Sequence, residues 1–157
     1  MKLDRTDVRI LQAIQRDAHT KAADLAESLN LSLSPFYRRL RLLEESGIIS
    51  RHVTLLDQEK AGFPVNAYVQ VAVDKKSAIL LAAFEREVNT FEEVMECYIM
   101  TGSFDYMLRV VAAEISGIER FVMEKLVKVE GVRDINTSIA LRRVQYKTAL
   151  PVRERDG

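Results

Sequence analysis

The sequence contains a single cysteine, two histidines and no excess of charge of either sign. Cys97 cannot form a disulfide within the chain, which agrees with a reducing compartment. With 23 basic and 23 acidic residues the chain is no generic polycation, so affinity for a polyanion has to come from local placement and from repetition. His19, His52 and Cys97 are too far apart in sequence to form a recognisable set of metal ligands. We therefore expect no metal and no cofactor.

Long apolar runs are missing as well. No stretch approaches the roughly 20 apolar residues of a membrane-spanning helix, and the N-terminal MKLDRTDVRI lacks the apolar core of a signal peptide. We therefore expect no membrane partner and a cytoplasmic location. The length of 157 residues, 48% of them hydrophobic, suffices for one medium domain or two small ones with their own cores.

The first fifty residues predict three helices. The first begins at Asp4 and Asp7, whose negative charges complement the helix dipole. Thr20 is the predicted cap of the second helix, Lys21 to Leu29. Asn30 follows at a tight turn that needs a left-handed residue, a conformation that Asn enters readily.

The third helix has Ser32 as its predicted cap, Pro35 in its first turn and Gly47 at its end. Its apolar stripe consists of residues at i, i+4 and i+7, namely Phe36, Leu40 and Leu43. The second and third helices and the turn between them describe a helix-turn-helix, which makes DNA the first partner to consider.

The start and outer face of the third helix carry residue types that reach base edges and phosphates in a major groove. With Arg51 on the next segment, the predicted DNA-binding set is Ser32, Ser34, Pro35, Tyr37, Arg38, Arg39, Arg41 and Arg51. We expect the contacts of Arg39 to be shared between a phosphate and an intramolecular ion pair with Glu44 or Glu45. Residues 32–52 carry four arginines against two glutamates, a local excess of +2. Because so modest a surface binds DNA weakly in one copy, we expect double-stranded DNA to be bound by a dimer or a larger assembly.

A change of pattern after Gly47 ends this domain at residue 50 and makes 51–64 a linker strand and loop. Residues 65–157 then read as one α+β domain, whose tail from Val144 is a further strand or an arm. Its elements run strand, helix, strand, strand, helix, strand: Val65–Val73, Ser77–Val88, Val94–Thr101, Asp105–Ala112, Ile115–Val129 and Val132–Leu141. This order is that of a ferredoxin-like βαββαβ fold.

Two motifs carry a resemblance to a known family. LDRTDVRILQAIQRDA resembles the first-helix signature of the Lrp/AsnC transcription factors, whose recognition-helix pattern is matched by Leu31, Ser32, Arg39, Leu40, Leu43, Gly47 and Ile49. TGSFDYML resembles the family's Gly-x-x-Asp-Tyr hairpin, with Gly102, Asp105 and Tyr106 in place. The chain is identified as a member of the family over nearly its whole length.

The resemblance implies a sequence-specific regulator with a winged-helix-like helix-turn-helix domain and a ferredoxin-like ligand-regulation domain. That second domain would dimerise through its sheet and assemble dimers into tetramers or octamers. Its effector would be a small molecule, expected to be an amino acid, bound at a subunit contact by Met100, Thr101, Gly102, Ser103, Asp105, Tyr106, Thr137 and Ser138. In this set, N–H groups near Gly102 and Ser103 would hold a carboxylate and Asp105 an ammonium. Asp105 equally suits a turn, and Tyr106 equally suits packing across the sheet.

Two other functions fit the same fold. A few relatives resemble haem-precursor decarboxylases, yet the predicted sheet domain contains no histidine to act as a base or ligand, so we predict that the chain is not an enzyme. A sensor of amino acids that does not bind DNA is the other alternative.

Overall fold

The computed structural model describes residues 2–17, 19–74 and 78–154. They form two compact units, one made of residues up to Thr54 and from Val144 onward, the other of Leu55–Arg143. The sheet-containing unit is thus inserted into the helical one. This differs from the prediction that the tail continues the sheet domain, because the tail packs on the first helix and its Val152 joins the helical core.

In the helical unit, α1 spans Arg5–Arg16 and begins with a capping box. Asp4 Oδ1 accepts from the N–H of Asp7 at 2.9 Å, and Asp7 Oδ2 accepts from the N–H of Asp4 at 3.2 Å. The predicted acidic start of this helix is confirmed, and the reciprocal bonds satisfy two N–H groups that a helix start leaves free.

Helix α2 spans Ala22–Ser28, and the prediction that Thr20 caps it is wrong. The capping position is Lys21, which makes no side-chain capping bond. The Thr20 hydroxyl instead donates to Asp17 Oδ2 at 2.9 Å, and the same carboxylate accepts from the N–H of His19 at 2.8 Å. Asp17 therefore holds the turn between α1 and α2 and occupies the hydroxyl that was expected to cap α2.

Helix α3 spans Leu33–Glu45. Asn30 in the preceding turn has φ +56°, as predicted, and Gly47, the predicted end of the helix, follows the helix with φ +75°. Ser32 occupies the capping position, although its side chain makes no capping bond. The side chains that close the core of this unit are Val8, Ile10, Leu11, Leu25, Ala26, Leu29, Phe36 and Leu43.

The predicted linker strand is not formed. Residues 51–57 have no regular structure and residues 58–62 form a turn. A strand needs a neighbour to satisfy its backbone hydrogen bonds, and the segment finds none among the described residues of this single chain.

The sheet unit has the predicted ferredoxin-like order of elements. They are β1 (Val65–Val73), α4 (Ala78–Val88), β2 (Val94–Ile99), β3 (Tyr106–Ala112), α5 (Ile115–Arg120) and β4 (Val132–Ile139). Helix α5 continues as a π-helical turn over Phe121–Lys125 and a 3₁₀ turn over Leu126–Lys128, where one regular helix was expected. The strands lie in the order β2-β3-β1-β4, all neighbours antiparallel. Ser77, the predicted start of α4, lies outside the described residues.

The two faces of this sheet have different surroundings. One face buries alternate residues of β1 and β3 against side chains from the helices, among them Phe84, Val88, Ile118, Phe121 and Leu126. The other face carries the intervening residues and is covered by no helix in the described part of the chain; Tyr68, next to the centre of β1, is 44% exposed there, whereas Ala72 and Val111 near the ends of their strands are buried. The period-2 alternation of the strands therefore gives a core face and an uncovered face.

Candidate functional site

The exposed face of α3 is the first candidate site. At most 1% of the surface of Phe36 and of Leu43 is exposed, so these two residues show which side of the helix faces the core. At 100° per residue, the opposite side presents Ser34, Arg38 and Arg41. All three are exposed, so the predicted polar face of this helix is accessible to a partner.

Arg38 and Arg41 differ in what holds them. Arg41 Nε donates to Glu45 Oε1 at 2.7 Å, and this bond raises the pKa of the guanidinium. Both side chains are more than half exposed, and such pairs contribute little to stability. Arg38 has no partner within salt-bridge distance in the described part of the chain. It is therefore the cation on this face with the most freedom to reach a phosphate or a base.

Arg39 is not on that face. Its Nη1 lies 2.7 Å from Asp4 Oδ2 and 2.7 Å from Asp7 Oδ1, and its side chain is only 28% exposed. The pKa of the guanidinium is raised by its hydrogen bonds to the two carboxylates. The prediction that pairs Arg39 with Glu44 or Glu45 is wrong, because the packing of α3 on α1 brings the capping box within reach. Arg39 therefore joins α3 to the start of α1.

The other predicted DNA-binding residues surround the start and the end of α3. Ser32 and Ser34 are exposed at its start, and Pro35 is half-buried in its first turn. Tyr37 is 54% exposed, with its ring edge-on to Phe36 at 5.8 Å. Arg51 is exposed in the irregular segment that follows the helix. Ser32, Ser34 and Pro35 lie at the N-terminus of α3, whose free N–H groups favour anions.

Charge is divided between the two units although the whole chain is neutral. The helical unit carries twelve basic and nine acidic residues, a net charge of +3. The sheet unit carries eleven basic and fourteen acidic residues, a net charge of −3. Attraction to a polyanion is therefore concentrated in the unit that contains α3.

The β2–β3 hairpin is the second candidate site. Gly102 has φ +117°, and a Cβ built there would meet nothing within 4 Å. Met100 N–H donates to the carbonyl oxygen of Asp105 at 2.8 Å, which closes the hairpin. No described atom accepts a hydrogen bond from the N–H of Gly102 or Ser103. The hairpin tip thus offers free donors in open space, as a bound carboxylate would need.

Asp105 has a clear structural role. Its Oδ2 accepts from the N–H of Val73 at 3.0 Å, and its own N–H donates to the carbonyl oxygen of Val71 at 2.9 Å. The aspartate therefore ties the hairpin to the end of β1. The turn interpretation of the sequence expected the Asp105 side chain to bond to the hairpin's own backbone. Its Oδ2 instead accepts from the neighbouring strand β1.

Tyr106 belongs to the core. Its side chain is 3% exposed, its ring lies 4.6 Å from that of Phe84, and its hydroxyl donates to Glu85 Oε1 at 2.8 Å. Burial and the bond to Glu85 raise the pKa of the hydroxyl. The packing interpretation of Tyr106 is therefore the one that fits the structure. Glu85 was missed from the sequence because a glutamate beside core Phe84 is an ordinary helix residue.

Thr137 and Ser138 do not lie beside the hairpin within one chain. Both lie on β4, the edge strand on the side of the sheet opposite to β2, where Thr137 pairs with Val69 of β1 and Ser138 pairs with Tyr68 of β1. Tyr106 pairs with Val71, so Thr137 is displaced by two strands and two residues, about 10 Å across and about 7 Å along the sheet. Within one chain, the residues of β4 that lie level with the hairpin are Asp134 and Ile135, not Thr137 and Ser138.

The described residues contain neither a metal-binding cluster nor a helix fit to cross a membrane. Within residues 2–17, 19–74 and 78–154, no group of three or more His, Cys, Asp or Glu side chains is placed to hold a metal ion. None of the helices in that part of the chain has the length and apolar character that a membrane crossing requires. The half-buried Cys97 has its pKa raised by burial and by Glu85, which makes its thiol a poor nucleophile.

Both units of the chain match known protein families. Residues 3–50 match the model of a winged helix-turn-helix DNA-binding domain, and residues 66–150 match the Lrp/AsnC ligand binding domain. The chain is 36% identical to the Bkd operon transcriptional regulator of Pseudomonas aeruginosa, covering 96% of this chain and 99% of that protein. It is 36% identical to the glutamate uptake regulatory protein of Zymomonas mobilis, covering 98% and 93%.

Two solved structures are similar along nearly the whole chain. A transcriptional regulator of Neisseria meningitidis in complex with L-Met superposes with a TM-score of 0.91 at 32% identity, covering 95% of this chain and 96% of that one. An AsnC family regulator of Agrobacterium tumefaciens gives a TM-score of 0.90 at 38% identity, covering 95% and 97%. Fold, domains and relatives define a helix-turn-helix transcriptional regulator with a ligand-binding domain. The chain belongs to the Lrp/AsnC family, and the Pseudomonas and Zymomonas relatives are named as regulators.

Proposed function

We propose that this protein binds operator DNA through the outer face of α3 and that a free amino acid, bound at the β2–β3 hairpin, changes this binding. The DNA contacts are assigned to Ser34, Tyr37, Arg38 and Arg41, with Ser32, Pro35 and Arg51 at the edges of the surface. The single observation that carries this half is the exposed Arg38 on the side of α3 opposite its buried stripe, a cation with no ion-pair partner among the described residues. Arg39 is excluded from the contact surface, since Asp4 and Asp7 already hold it.

The amino-acid half rests on the hairpin. The free N–H groups of Gly102 and Ser103 can hold the α-carboxylate, and the Asp105 carboxylate lies at the base of the same turn to attract the α-ammonium. Exposed Ile99 and Met100 beside the tip offer apolar contacts to the effector's side chain. The Neisseria relative crystallised with L-Met supports an amino acid as the ligand class.

The assembly we propose is a homodimer formed through the uncovered sheet face, with dimers joined into tetramers or octamers. A second chain is required because Thr137 and Ser138 lie too far from the hairpin of their own chain to share its ligand. Repetition also raises DNA affinity, since each copy of the surface adds its own phosphate contacts. Such a regulator acts in the compartment that holds the DNA, which for a bacterial or archaeal cell is the cytoplasm.

Thermal unfolding in the presence of each of the twenty amino acids tests the effector site. A ligand that binds only the native state at 100 times its Kd stabilises the protein by about 2.7 kcal/mol, so its melting temperature rises. We expect one or a few amino acids to do this. A panel with no shift at millimolar concentration contradicts an amino-acid effector.

Asp105→Asn then locates the site. The amide oxygen can still accept from the N–H of Val73, but the negative charge is gone, so binding should be lost without loss of the hairpin. Asp134→Asn is the matched control, because Asp134 is an exposed aspartate whose Oδ1 also accepts a backbone N–H, that of Ile135. If calorimetry gives the same affinity for both variants, the ligand binds at a site other than the hairpin.

A further inference from the structure

The C-terminal tail makes an ordered contact that the sheet unit does not share. Leu150 N–H donates to Gln15 Oε1 at 2.7 Å, and Gln15 Nε2 donates back to the Leu150 carbonyl oxygen at 3.4 Å. Gln12 Nε2 donates to the carbonyl oxygen of Val152 at 3.3 Å. The two glutamines of α1 thus bind the tail's backbone as a neighbouring strand would.

The conformation of the tail suits this contact. Val152 N–H donates to the Leu150 carbonyl oxygen at 2.9 Å, so a tight turn is centred on Pro151. Proline fixes φ close to the value that such a turn needs, and it has no N–H to leave unsatisfied. Val152 packs against the core of the helical unit. Backbone recognition and one half-buried side chain together define a docking site for an extended peptide on α1.

The tail runs antiparallel to α1, because Gln12 holds residue 152 and Gln15 holds residue 150. Before the docked residues, the segment that follows β4 has no regular structure, and Leu141 and Val144 are 98% and 82% exposed. The connection from the sheet unit to the docked residues is therefore an irregular segment with exposed side chains.

We infer that this docking site on α1 is filled by the chain's own C-terminal segment and that the docked tail is a second mechanical link between the two units. The first link is the continuous chain across residues 54 and 55. A change in β4 on effector binding reaches α1 through the tail, and α1 is the helix to which Arg39 of α3 is paired. This regulatory role rests on the proposed function, whereas the docking itself does not.

Amide hydrogen exchange in the full-length protein tests the docking. Gln15→Leu removes both bonds to Leu150, so the Leu150 amide should exchange about tenfold faster than in the parent. Gln145→Leu is the control, since it makes the same change at an exposed tail position ahead of the docked residues, and it should leave that rate unchanged. A parent protein whose Leu150 amide already exchanges at the rate of an unfolded peptide would overturn the docking.

The regulatory role is tested with a DNA duplex that the parent protein selects from a randomised pool. The DNA affinity is measured with and without whichever of the twenty amino acids gives the largest thermal shift. In Gln15→Leu, and independently in Val152→Ser, the thermal shift should persist while the effect of the amino acid on DNA affinity shrinks toward none. An undiminished effect in both variants contradicts the link. No thermal shift in the parent contradicts the effector proposal instead, and the exchange rates still decide the docking.

Discussion

Arg38 and Arg39 are neighbours in sequence, yet their surroundings assign them different roles. Successive residues of a helix point about 100° apart, so one guanidinium projects outward while the other faces α1. The first has no partner among the described residues, and the second bridges Asp4 and Asp7. Three arginines within four positions therefore do not form one uniform basic surface.

Arg38→Ala should weaken binding to the selected operator by about 1 to 3 kcal/mol if the side chain reads a base, or lower the salt slope by about one unit if it contacts a phosphate. Titrations at several salt concentrations separate the two outcomes. Arg133→Ala makes the same charge change on β4 of the sheet unit and should alter neither quantity. Identical affinity and slope for Arg38→Ala and the parent would exclude this residue from the DNA surface.

Arg39→Met should lower the free energy of unfolding near pH 7 by about 1 to 3 kcal/mol, because nearly buried Asp7 loses its charged partner. Arg41→Met is the matched control, whose exposed pair with Glu45 should matter by less than about 0.5 kcal/mol. Chemical denaturation of both variants and the parent gives the comparison. Equal losses in the two variants would show that the bridge to α1 adds nothing.

Acid should reduce the difference between Arg39→Met and the parent. The N–H of Asp7 and the Arg39 guanidinium hold the pKa of Asp4 below its ordinary value of 3.8. A carboxyl with a lowered pKa stabilises the fold above that value, and the stabilisation is lost as the pH falls through the folded-state pKa. Arg39→Met removes the part of this pKa shift that the guanidinium causes, so the unfolding free energy of the variant should depend less on pH below about 4. Parallel pH profiles would contradict this.

The residue roles that could be predicted from sequence are those set by near neighbours. Asp4 and Asp7 are three residues apart, and their capping role follows from that spacing alone. Arg39 is 32 residues from Asp7, and its pairing depends on how α3 crosses α1, which local spacing does not encode. Asp105 shows the same limit, since its partner Val73 is also 32 residues away.

At the scale of elements, the turn between α2 and α3 decides how the recognition helix is presented. Asn30 is the one non-glycine residue with positive φ in the described part of the chain. Its N–H donates to Glu27 and that of Leu31 to Ala26, both at 2.9 Å, which is how a left-handed residue closes a helix end. The apolar spacing predicted this turn because every requirement for it lies within a few residues.

Asn30→Val should lower the free energy of unfolding by about 1 to 2 kcal/mol, since a β-branched residue is strained in the left-handed region. Asn30→Gly should be neutral or slightly stabilising, because glycine adopts that region freely. Asn89→Val tests the same replacement in the exposed turn after α4, where φ is not positive, and should cost less. A similar cost at both asparagines would mean that strain at Asn30 is unimportant.

Other elements escaped prediction for physical reasons. The apolar residues 118–129 fit a continuous helix, but the chain widens to a π-helical turn and then tightens while keeping Phe121 and Leu126 in the core. Residues 51–57 have an apolar pattern without a partner strand. The tail docks through its backbone atoms, which are the same in every sequence. The sequence could therefore indicate this contact only through Gln12 and Gln15, and glutamines are common on helix surfaces.

At the scale of the whole molecule, the charges of +3 and −3 on the two units explain how a neutral protein can bind DNA. Each copy of the helical unit offers few cations to phosphates, so affinity must increase through the number of copies. Two recognition helices held on one dimer would meet successive major grooves about 34 Å apart. Joining two weak sites in this way can raise the affinity by a factor of about 100 or more without new contacts.

The uncovered sheet face is where we expect that dimer to form, and Tyr68 at its centre is the residue to change. It pairs across the strands with Arg109 and Ser138 and is 44% exposed. Tyr68→Asp would replace an exposed aromatic ring by a carboxylate that loses its hydration in the interface, so light scattering should show monomers where the parent is a dimer or larger. Operator affinity should fall about a hundredfold in parallel, since each monomer then binds one half-site alone. Met123→Glu introduces a charge at an exposed apolar position beyond α5 and should leave the dimer intact. A Tyr68→Asp protein that remains dimeric, with full operator affinity, would place the dimer contact on another surface.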